Sequence, residues 1–501
     1  MSLLGVDMGS SSCKAAVFTP AGETLCSASR SYSMTFPGPA MAEMDPRDLW
    51  NATVQAVREA AAAAEGRGDP VQALAISAHG ETFIPVNATG DPVCPAIMNI
   101  DNRAVAEAAW WERTIGKERL YGIVGTMAHP MYSMTKVRWL QLHRPEVVSA
   151  TAQLLGPGEY VLRRMGLPPL TDFSLACRWL VFDIHTHRWS DELLAAAGVS
   201  RDRLPRPVAA GTAAGRLSAA MAREMGVPAG TIVAVGGHDQ ACCALGAGAI
   251  GPGVVSDSAG TYECFHSASP APCLGPASFR ANLNSYCHVV PDTYVTLAFF
   301  PSGIVVRWFL DRLAEAESAR AVASGVNPHE WFESRAPADP SGLTVTPHLI
   351  GACNPHWNPR ATVAVTGLTG DAGIFHLYKG ILEGIACEFA LNADVLEEAT
   401  APFTRVRVTG GGTGSRLGLR LRAALSGKTV ETLRNPEAVC LGAAILAGTA
   451  AGVYRDVQDG VAQAVRVAET VEPEPELARS YETQVARYRM LYPALAPVFD
   501  R

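Results

Sequence analysis

The sequence predicts an α/β protein of two domains, and three observations carry that expectation. Strand-like apolar runs alternate with helix-periodic runs from one end of the chain to the other. At 501 residues the chain exceeds what one core of ordinary size holds. A strand, a tip of small polar residues and a second strand occur near the start of the chain and again after residue 250. Gly246, Gly248, Gly251, Pro252 and Gly253 crowd together, which sets the expected boundary and divides the chain into 1–248 and 249–501.

Taken in order, residues 3–7 and 14–18 are short apolar strands around the Gly9–Ser12 tip. Asp45 then offers an N-cap and Pro46 the first helical position. The helix they open places Trp50, Val54, Val57 and Ala61 on one face and runs to Glu65, where Gly66 stops it. Residues 73–77 and 82–86 read as a strand pair around the tip His79-Gly80-Glu81. A β-branched strand at 231–235 enters Gly236-Gly237, and helix resumes from Ala241. Residues 254–257 begin the second strand–tip–strand device. A long helix opening at Asp371 aligns Ile374, Leu377, Tyr378, Ile381, Ile385 and Phe389. Residues 406–408 form a strand into Gly410-Gly411-Gly412, Ser415 can cap the helix after it, and 437–448 is a further helix of small residues.

A formal charge of -7 argues against a nucleic-acid binder, although a local site can still be positive. The N-terminus shows no basic segment followed by a secretion-type apolar run, and no apolar stretch is long enough to span a bilayer. The twelve cysteines include no C-x-x-C pair, so neither a zinc ribbon nor a redox motif is expected. A reducing cytoplasm is the expected compartment. His185-Thr186-His187, Cys264 with His266, and Trp110-Trp111 read as packing rather than as a metal site or a stacking platform.

Two common nucleotide motifs are eliminated by position. Gly427-Lys428-Thr429 ends like a P-loop, but the first glycine of that motif falls on Arg422. Gly410 and Gly412 begin a dinucleotide fingerprint whose last glycine falls on Ser415. What remains is a carboxylate at a strand end followed by glycine and hydroxyl residues. Asp7 can anchor a hydrated Mg²⁺ while Gly9, Ser10, Ser11 and Ser12 offer N–H and O–H groups to phosphate; the same residues also suit an ordinary hairpin turn. Asp257-Ser258-Ala259-Gly260-Thr261 offers a similar arrangement in the other half. Asp239 suits either an N-cap or a general base for an attacking alcohol. Gly410, Gly411 and Gly412 leave a flat surface for a purine, or simply a tight strand-to-helix crossing.

With these motifs in order, the chain resembles the FGGY carbohydrate kinases, which include xylulokinases, glycerol kinases and gluconokinases. The resemblance covers nearly the whole length. It begins at Asp7-Met8-Gly9-Ser10 with Lys14 and continues through Asp101-Asn102-Arg103, Thr171-Asp172-Phe173-Ser174 and Gly237-His238-Asp239-Gln240. It ends in Gly367-Leu368-Thr369, Leu382-Glu383-Gly384-Ile385, Gly410-Gly411-Gly412 and Leu441-Gly442-Ala443-Ala444. The resemblance implies two ribonuclease-H-like (actin-like ATPase) domains closing on a catalytic cleft, with sugar mainly on the first and ATP mainly on the second. It implies that Asp239 is the catalytic base and that Asp7 and Asp239 hold Mg²⁺. Gly9 to Ser12, Lys14, Gly260 and Thr261 would meet the phosphates, and Gly410, Gly411 and Gly412 the adenosine side.

For the sugar, the resemblance points to His79, Gly80, Glu81, Asp101, Arg103, Asp239 and Gln240. His79-Gly80 is similar to a xylulokinase loop, and Gly80-Glu81-Thr82 is similar to the Arg-Glu-Thr of glycerol kinases. Asn99 stands where the family's Trp-x-Asp-x-Arg pattern has tryptophan, and Arg416-Leu417-Gly418-Leu419-Arg420 replaces a Trp-x-Gln segment. The expected activity is ATP-dependent phosphorylation of a hydroxyl on a small sugar, polyol or sugar acid, xylulokinase-like before the others. The expected partner is a small sugar or polyol, with neither nucleic acid nor membrane, and a homodimer is the assembly to look for. The competing expectations are an actin-fold ATPase switch and a sugar-binding regulator that does not phosphorylate.

Overall fold

The structure is a computed structural model that describes residues 2–499. It is built on two sheets. The first has the order β5-β6-β4-β1-β2-β3, formed by β1 (Ser2–Met8), β2 (Ser12–Phe18), β3 (Thr24–Ser31), β4 (Val71–Ala78), β5 (Ala213–Arg216) and β6 (Ile232–His238). Helix α1 (Pro46–Glu65) crosses one face of it, with the Asp45 carboxylate accepting the Arg47 N–H at 2.9 Å. Helix α2 (Asp239–Gly246) follows β6 directly and ends the first half.

The second sheet has the order β9-β10-β8-β7-β11-β12-β13. Its strands are β7 (Val254–Ala259), β8 (Tyr262–Ser269), β9 (Asn284–Cys287), β10 (Tyr294–Pro301), β11 (Arg405–Thr409), β12 (Thr429–Leu433) and β13 (Val467–Val471). Between them come α3 (Gly303–Trp308), α4 (Ile374–Ala399), α5 (Arg416–Ser426) and α6 (Ala438–Ala450), and α7 (Pro475–Phe499) closes the chain. In each sheet the opening strand pairs antiparallel with the next and parallel with a later one: β1 with β2 and β4, β7 with β8 and β11. The repeated device read from the sequence is therefore the same edge of two similar sheets.

Helix α6 belongs to the second half of the sequence but packs on the first sheet. Leu3, Ala16, Phe18 and Ala73 meet Leu441, Ala444 and Leu446 in one buried core. Glycine makes that approach possible, since a Cβ on Gly5 would overlap the Cys440 carbonyl. The halves of the sequence and the halves of the structure thus differ by this helix.

Two sequence expectations are corrected locally. Residues 82–86 do not pair with 73–77: both edges of β4 are already taken, by β1 and β6. Ile84–Val86 instead pairs antiparallel with Gln153–Leu155. The long helix starts at Ile374 with Gly373 as N-cap, because Asp371 is engaged by the Thr369 hydroxyl in the preceding turn. Among the described residues no helix is long and apolar enough to cross a membrane.

Candidate active site

Three tips follow the ends of β1, β7 and β11, and the second and third of them lie against one another. At the first, the Gly9 N–H donates to the Ser12 carbonyl at 3.0 Å, and the Tyr32 hydroxyl donates to Ser12 O at 3.1 Å and to Gly9 O. Tyr32 also donates its N–H to the Ser11 carbonyl at 3.1 Å, so one side chain and its backbone pin the turn. At the second, the Gly260 N–H meets Tyr262 O at 2.8 Å, and the start of α3 leans on the tip through Gly303 N–H to Gly260 O at 3.1 Å. At the third, Gly410 has φ +80°, a backbone that L side chains rarely adopt, and a Cβ there would lie 2.8 Å from Ala259 O. A Cβ on Gly412 would lie 2.5 Å from that of Ala259. Close approach of the second and third tips is what these glycines allow.

Between those two tips lies a cavity of about 630 Å³ lined by Gly260, Thr261, Gly411, Gly412, Ser415 and Arg422. Leu310, Leu382 and Ile385 supply apolar walls. Its volume and its mixed glycine and apolar lining suit a nucleotide. Beneath it Arg422 is ion-paired with buried Glu263, and the Ser302 hydroxyl donates to Glu263 at 2.6 Å. Asp257, the counterpart of Asp7 in the second sheet, is fully buried with neither oxygen hydrogen-bonded. Burial, and then the charge of Glu263, raise its pKa well above the usual carboxylate range, against the pull of Arg422.

A second cavity, of about 270 Å³, is walled by both halves of the chain. His79, Gly80, Glu81, Asn99, Asp239 and Gln240 come from the first half; Asn284, Phe299 and Trp357 come from the second. Asp239 is the first residue of α2, and one of its oxygens accepts the Gln240 N–H at 2.7 Å and lies 3.2 Å from His238 Nε2. Burial pushes the Asp239 pKa up to about 8, with further contributions from Asp7 and Glu81. Burial likewise pushes Asp7 up to about 6, against the pull of Lys14. Two desolvated carboxylates, one of which raises the pKa of the other, form an environment that a divalent cation would relieve.

The Thr171–Ser174 motif explains the placement of Asp239. Asp172 caps the short helix Phe173–Ala176 and takes the Ser174 hydroxyl at 2.6 Å, while Ser174 Oγ accepts the His238 N–H at 2.9 Å. The end of β6, and with it Asp239, is therefore held by a side-chain relay. On the opposite wall His79 Nδ1 lies 2.7 Å from Met8 O, which places its proton there, and Nε2 is left without a partner. Burial lowers the His79 pKa, so the ring is neutral. Gly80 is required because a Cβ would lie 2.6 Å from Arg178 Cγ.

Not every expected residue faces a cavity. Asp101 accepts the Ala42 N–H at 2.6 Å and is ion-paired with Arg103, which also reaches Glu43 at 2.8 Å. The pair is a buried clamp behind the site. Asn99, two residues earlier, lines the cavity and hydrogen-bonds Ser10 at 3.2 Å, so it joins the smaller cavity to the first tip. Lys14 donates to both Glu437 oxygens, at 3.0 and 2.8 Å, just before α6. Arg178, Asn284 and Trp357 escaped the sequence reading: they lie in segments without glycine or carboxylate patterning. Of these, only Arg178 had a nearby signal, in the Thr171–Ser174 motif.

The chain belongs to the FGGY family of carbohydrate kinases: the N-terminal domain of that family matches residues 2–246 and the C-terminal domain residues 255–451. It is 25% identical over 494 residues to the xylulose kinase of Staphylococcus epidermidis, covering 98% of this chain and 96% of that protein. It is also 25% identical over 487 residues to the gluconokinase of Bacillus subtilis, covering 96% and 93%. The crystal structure of xylulose kinase from Rhodospirillum rubrum superimposes with a TM-score of 0.88 at 25% identity, over 100% of both chains. The two sheets are those of the actin-like ATPase fold. The protein is an ATP-dependent sugar or polyol kinase, a phosphotransferase with an alcohol group as acceptor, and it uses Mg²⁺.

Proposed function

We propose that the protein transfers the γ-phosphoryl group of ATP to a hydroxyl of a small sugar, polyol or sugar acid held in the smaller cavity, in the manner of a xylulokinase. One observation carries this reading: Asp239 lines that cavity while its pKa responds to Asp7 at the base of the first tip. A carboxylate so placed stands between an acceptor hydroxyl and the phosphate-binding tips. In the same reading the first domain, residues 1–248, mainly presents the sugar, and the second, 249–501, mainly the nucleotide in the larger cavity.

Asp7 and Asp239 would hold Mg²⁺, which fits two buried carboxylates whose pKa values burial raises despite Lys14 beside the first and Arg178 near the second. The ion, when bound, neutralises charge building on the transferring phosphoryl group. Asp239 accepts the proton of the attacking hydroxyl, and its raised pKa brings its basicity near the working pH. The Gly9–Ser12 and Gly260–Thr261 tips supply N–H and O–H donors to the phosphate oxygens. Walls from both halves exclude water that would compete for the phosphoryl group. His79 and Gln240 orient the acceptor, while Asp101 and Arg103 stabilise the loop that carries Asn99.

The test is ADP release, coupled to a reporter reaction, across ketopentoses, polyols, triols and sugar acids, with Asp239→Asn as control. ADP release that depends on one of these acceptors and is lost in the variant supports the reading. Sugar-independent ATP hydrolysis, or near-normal turnover by Asp239→Asn, removes it.

A further inference from the structure

We infer that His266 and Tyr286 are positioning residues for phosphoryl transfer. Each reaches from the second sheet to hold one of the two side chains that flank Asp239, so the acceptor site is aligned where the halves of the chain meet. The inference rests on the kinase reading above and extends it to two residues that do not line the smaller cavity.

The first grip is on Gln240, which does line that cavity. Its carbonyl oxygen lies 2.9 Å from Nε2 of His266, a fully buried residue of β8. Nδ1 of the same ring lies 3.1 Å from the Ser256 hydroxyl, which is directly opposite in register on β7. Burial, and then His288, push the His266 pKa down to about 3, so the ring is neutral and carries a single N–H. An amide carbonyl only accepts, which places that proton on Nε2 and leaves Nδ1 to accept from Ser256. The order Ser256, His266, Gln240 therefore fixes the amide. Its carbonyl faces the second sheet, and its NH₂ group is left for an acceptor hydroxyl.

The second grip is on His238. Its Nδ1 lies 3.2 Å from the hydroxyl of Tyr286 on β9, and both side chains are buried. Its backbone N–H is held by Ser174 of the first half. Gly237 makes room for this approach, since a Cβ there would overlap Val289 Cγ1 of the second half. Asp239 thus begins α2 between two residues whose side chains are both bonded to the opposite half. A histidine that only filled space could be replaced by an apolar residue without a functional signature. One that orients an amide through a directed bond could not.

Kinetics of the full-length enzyme test this, with D-xylulose, glycerol and D-gluconate as acceptors and the fastest of them used throughout. His266→Leu should lower kcat/KM for the acceptor by about 10- to 100-fold, chiefly through KM, with the KM for ATP nearly unchanged. His266→Gln retains an N–H for the Gln240 carbonyl and should recover most of that loss. In a Gln240→Leu background His266→Leu should cost nothing further, because the histidine acts through the amide. Tyr286→Phe keeps the ring and removes only the hydroxyl, so it carries the test if the His266 variants do not fold. Its kcat should fall by about 10-fold. Equal losses in His266→Leu and His266→Gln, or losses that add in the Gln240→Leu background, overturn the role of His266. Wild-type kcat in Tyr286→Phe overturns that of Tyr286. Both results on an active enzyme leave the kinase reading standing, whereas a wild type that releases ADP with none of the three acceptors overturns that reading and this inference together.

Discussion

Gly80 and Arg178 occupy one another's space: the arginine stem lies where a side chain at position 80 would project, and its guanidinium is ion-paired with Glu81 next door. Glu81 itself sits at φ +62°, so the loop is held in a backbone state that the ion pair helps to fix. Gly80→Ala should displace Arg178 and shift the cavity wall. The expected outcome is a rise of about 10- to 100-fold in the KM for the acceptor, with the KM for ATP nearly unchanged. Steady-state kinetics with each substrate varied in turn checks this, and an equal rise in both KM values would place the effect elsewhere.

Removing Arg178 alone has a different signature. Both side chains of the pair are buried, with 7% and 4% exposure, so Arg178→Met leaves the Glu81 carboxylate without a counter-charge. A loss of about 3–5 kcal/mol in stability is expected. The double variant Arg178→Met/Glu81→Gln should recover a large part of it. Denaturant midpoints of the two single variants and the double variant measure the coupling.

Lys14 presents a choice between two roles. Its ammonium is held by Glu437, and both side chains are roughly one-third exposed, so the ion pair contributes at most about 1 kcal/mol. If the pair were only structural, Lys14→Met and Glu437→Gln would have similar small effects and the double variant would add nothing. The expected result is asymmetric: kcat falls by about 100-fold in Lys14→Met, as for loss of a donor to the transferring group, and far less in Glu437→Gln. Kinetics of the two variants beside their melting temperatures separates the cases.

The acidic limb of the pH profile should lie far above the ordinary range for aspartate. Asp239 must be ionised to accept a proton, and its pKa is about 8 in the unliganded protein, so kcat/KM for the acceptor falls as pH drops below that value. Glu81→Gln removes a negative neighbour and should move the limb to lower pH. The stability sign follows from the same shift. A carboxyl whose pKa is raised on folding contributes stability that is fully present below its unfolded value of 3.8 and is lost as pH rises through about 8. Asp239→Asn should therefore raise the melting temperature more at pH 9 than at pH 5. An equal effect at both pH values would count against the raised pKa.

How much could be read from the sequence depended on how local each signal was. Asp45, Pro46 and Gly66 specify α1 within their own few residues, and its bounds emerged as expected. Gly236 marks close approach wherever it falls, since a Cβ there would overlap the Ile76 carbonyl. The 73–86 segment misled because its tip is locally a hairpin, while the pairing of β4 is decided by β1 and β6. Asp101 and Arg103 carry the right types for a sugar contact, yet at two residues' separation they satisfy each other first. Arg178 lies 97 residues from Glu81, and only the folded chain brings them together. Local chemistry marked the two carboxylates and the glycine tips; the walls between them are a tertiary property.

The C-terminal helix supplies a final prediction about the nucleotide side. Glu383 on α4 is fully buried; its oxygens accept the Tyr481 hydroxyl at 2.7 Å and the Gln484 amide at 2.8 Å, both from α7, together with the Ser341 N–H at 3.0 Å. Its neighbours Leu382 and Ile385 on the same helix line the larger cavity. Tyr481→Phe deletes one donor to a buried carboxylate, which should cost about 1–3 kcal/mol of stability. Tyr481→Phe/Gln484→Leu should cost more and let α4 shift, raising the KM for ATP while leaving the KM for the acceptor in place. Paired denaturation and kinetic measurements decide it: stability loss without any change in the KM for ATP would show that α7 only closes the core, whereas the separate response of the two substrates would show that it also sets the nucleotide wall.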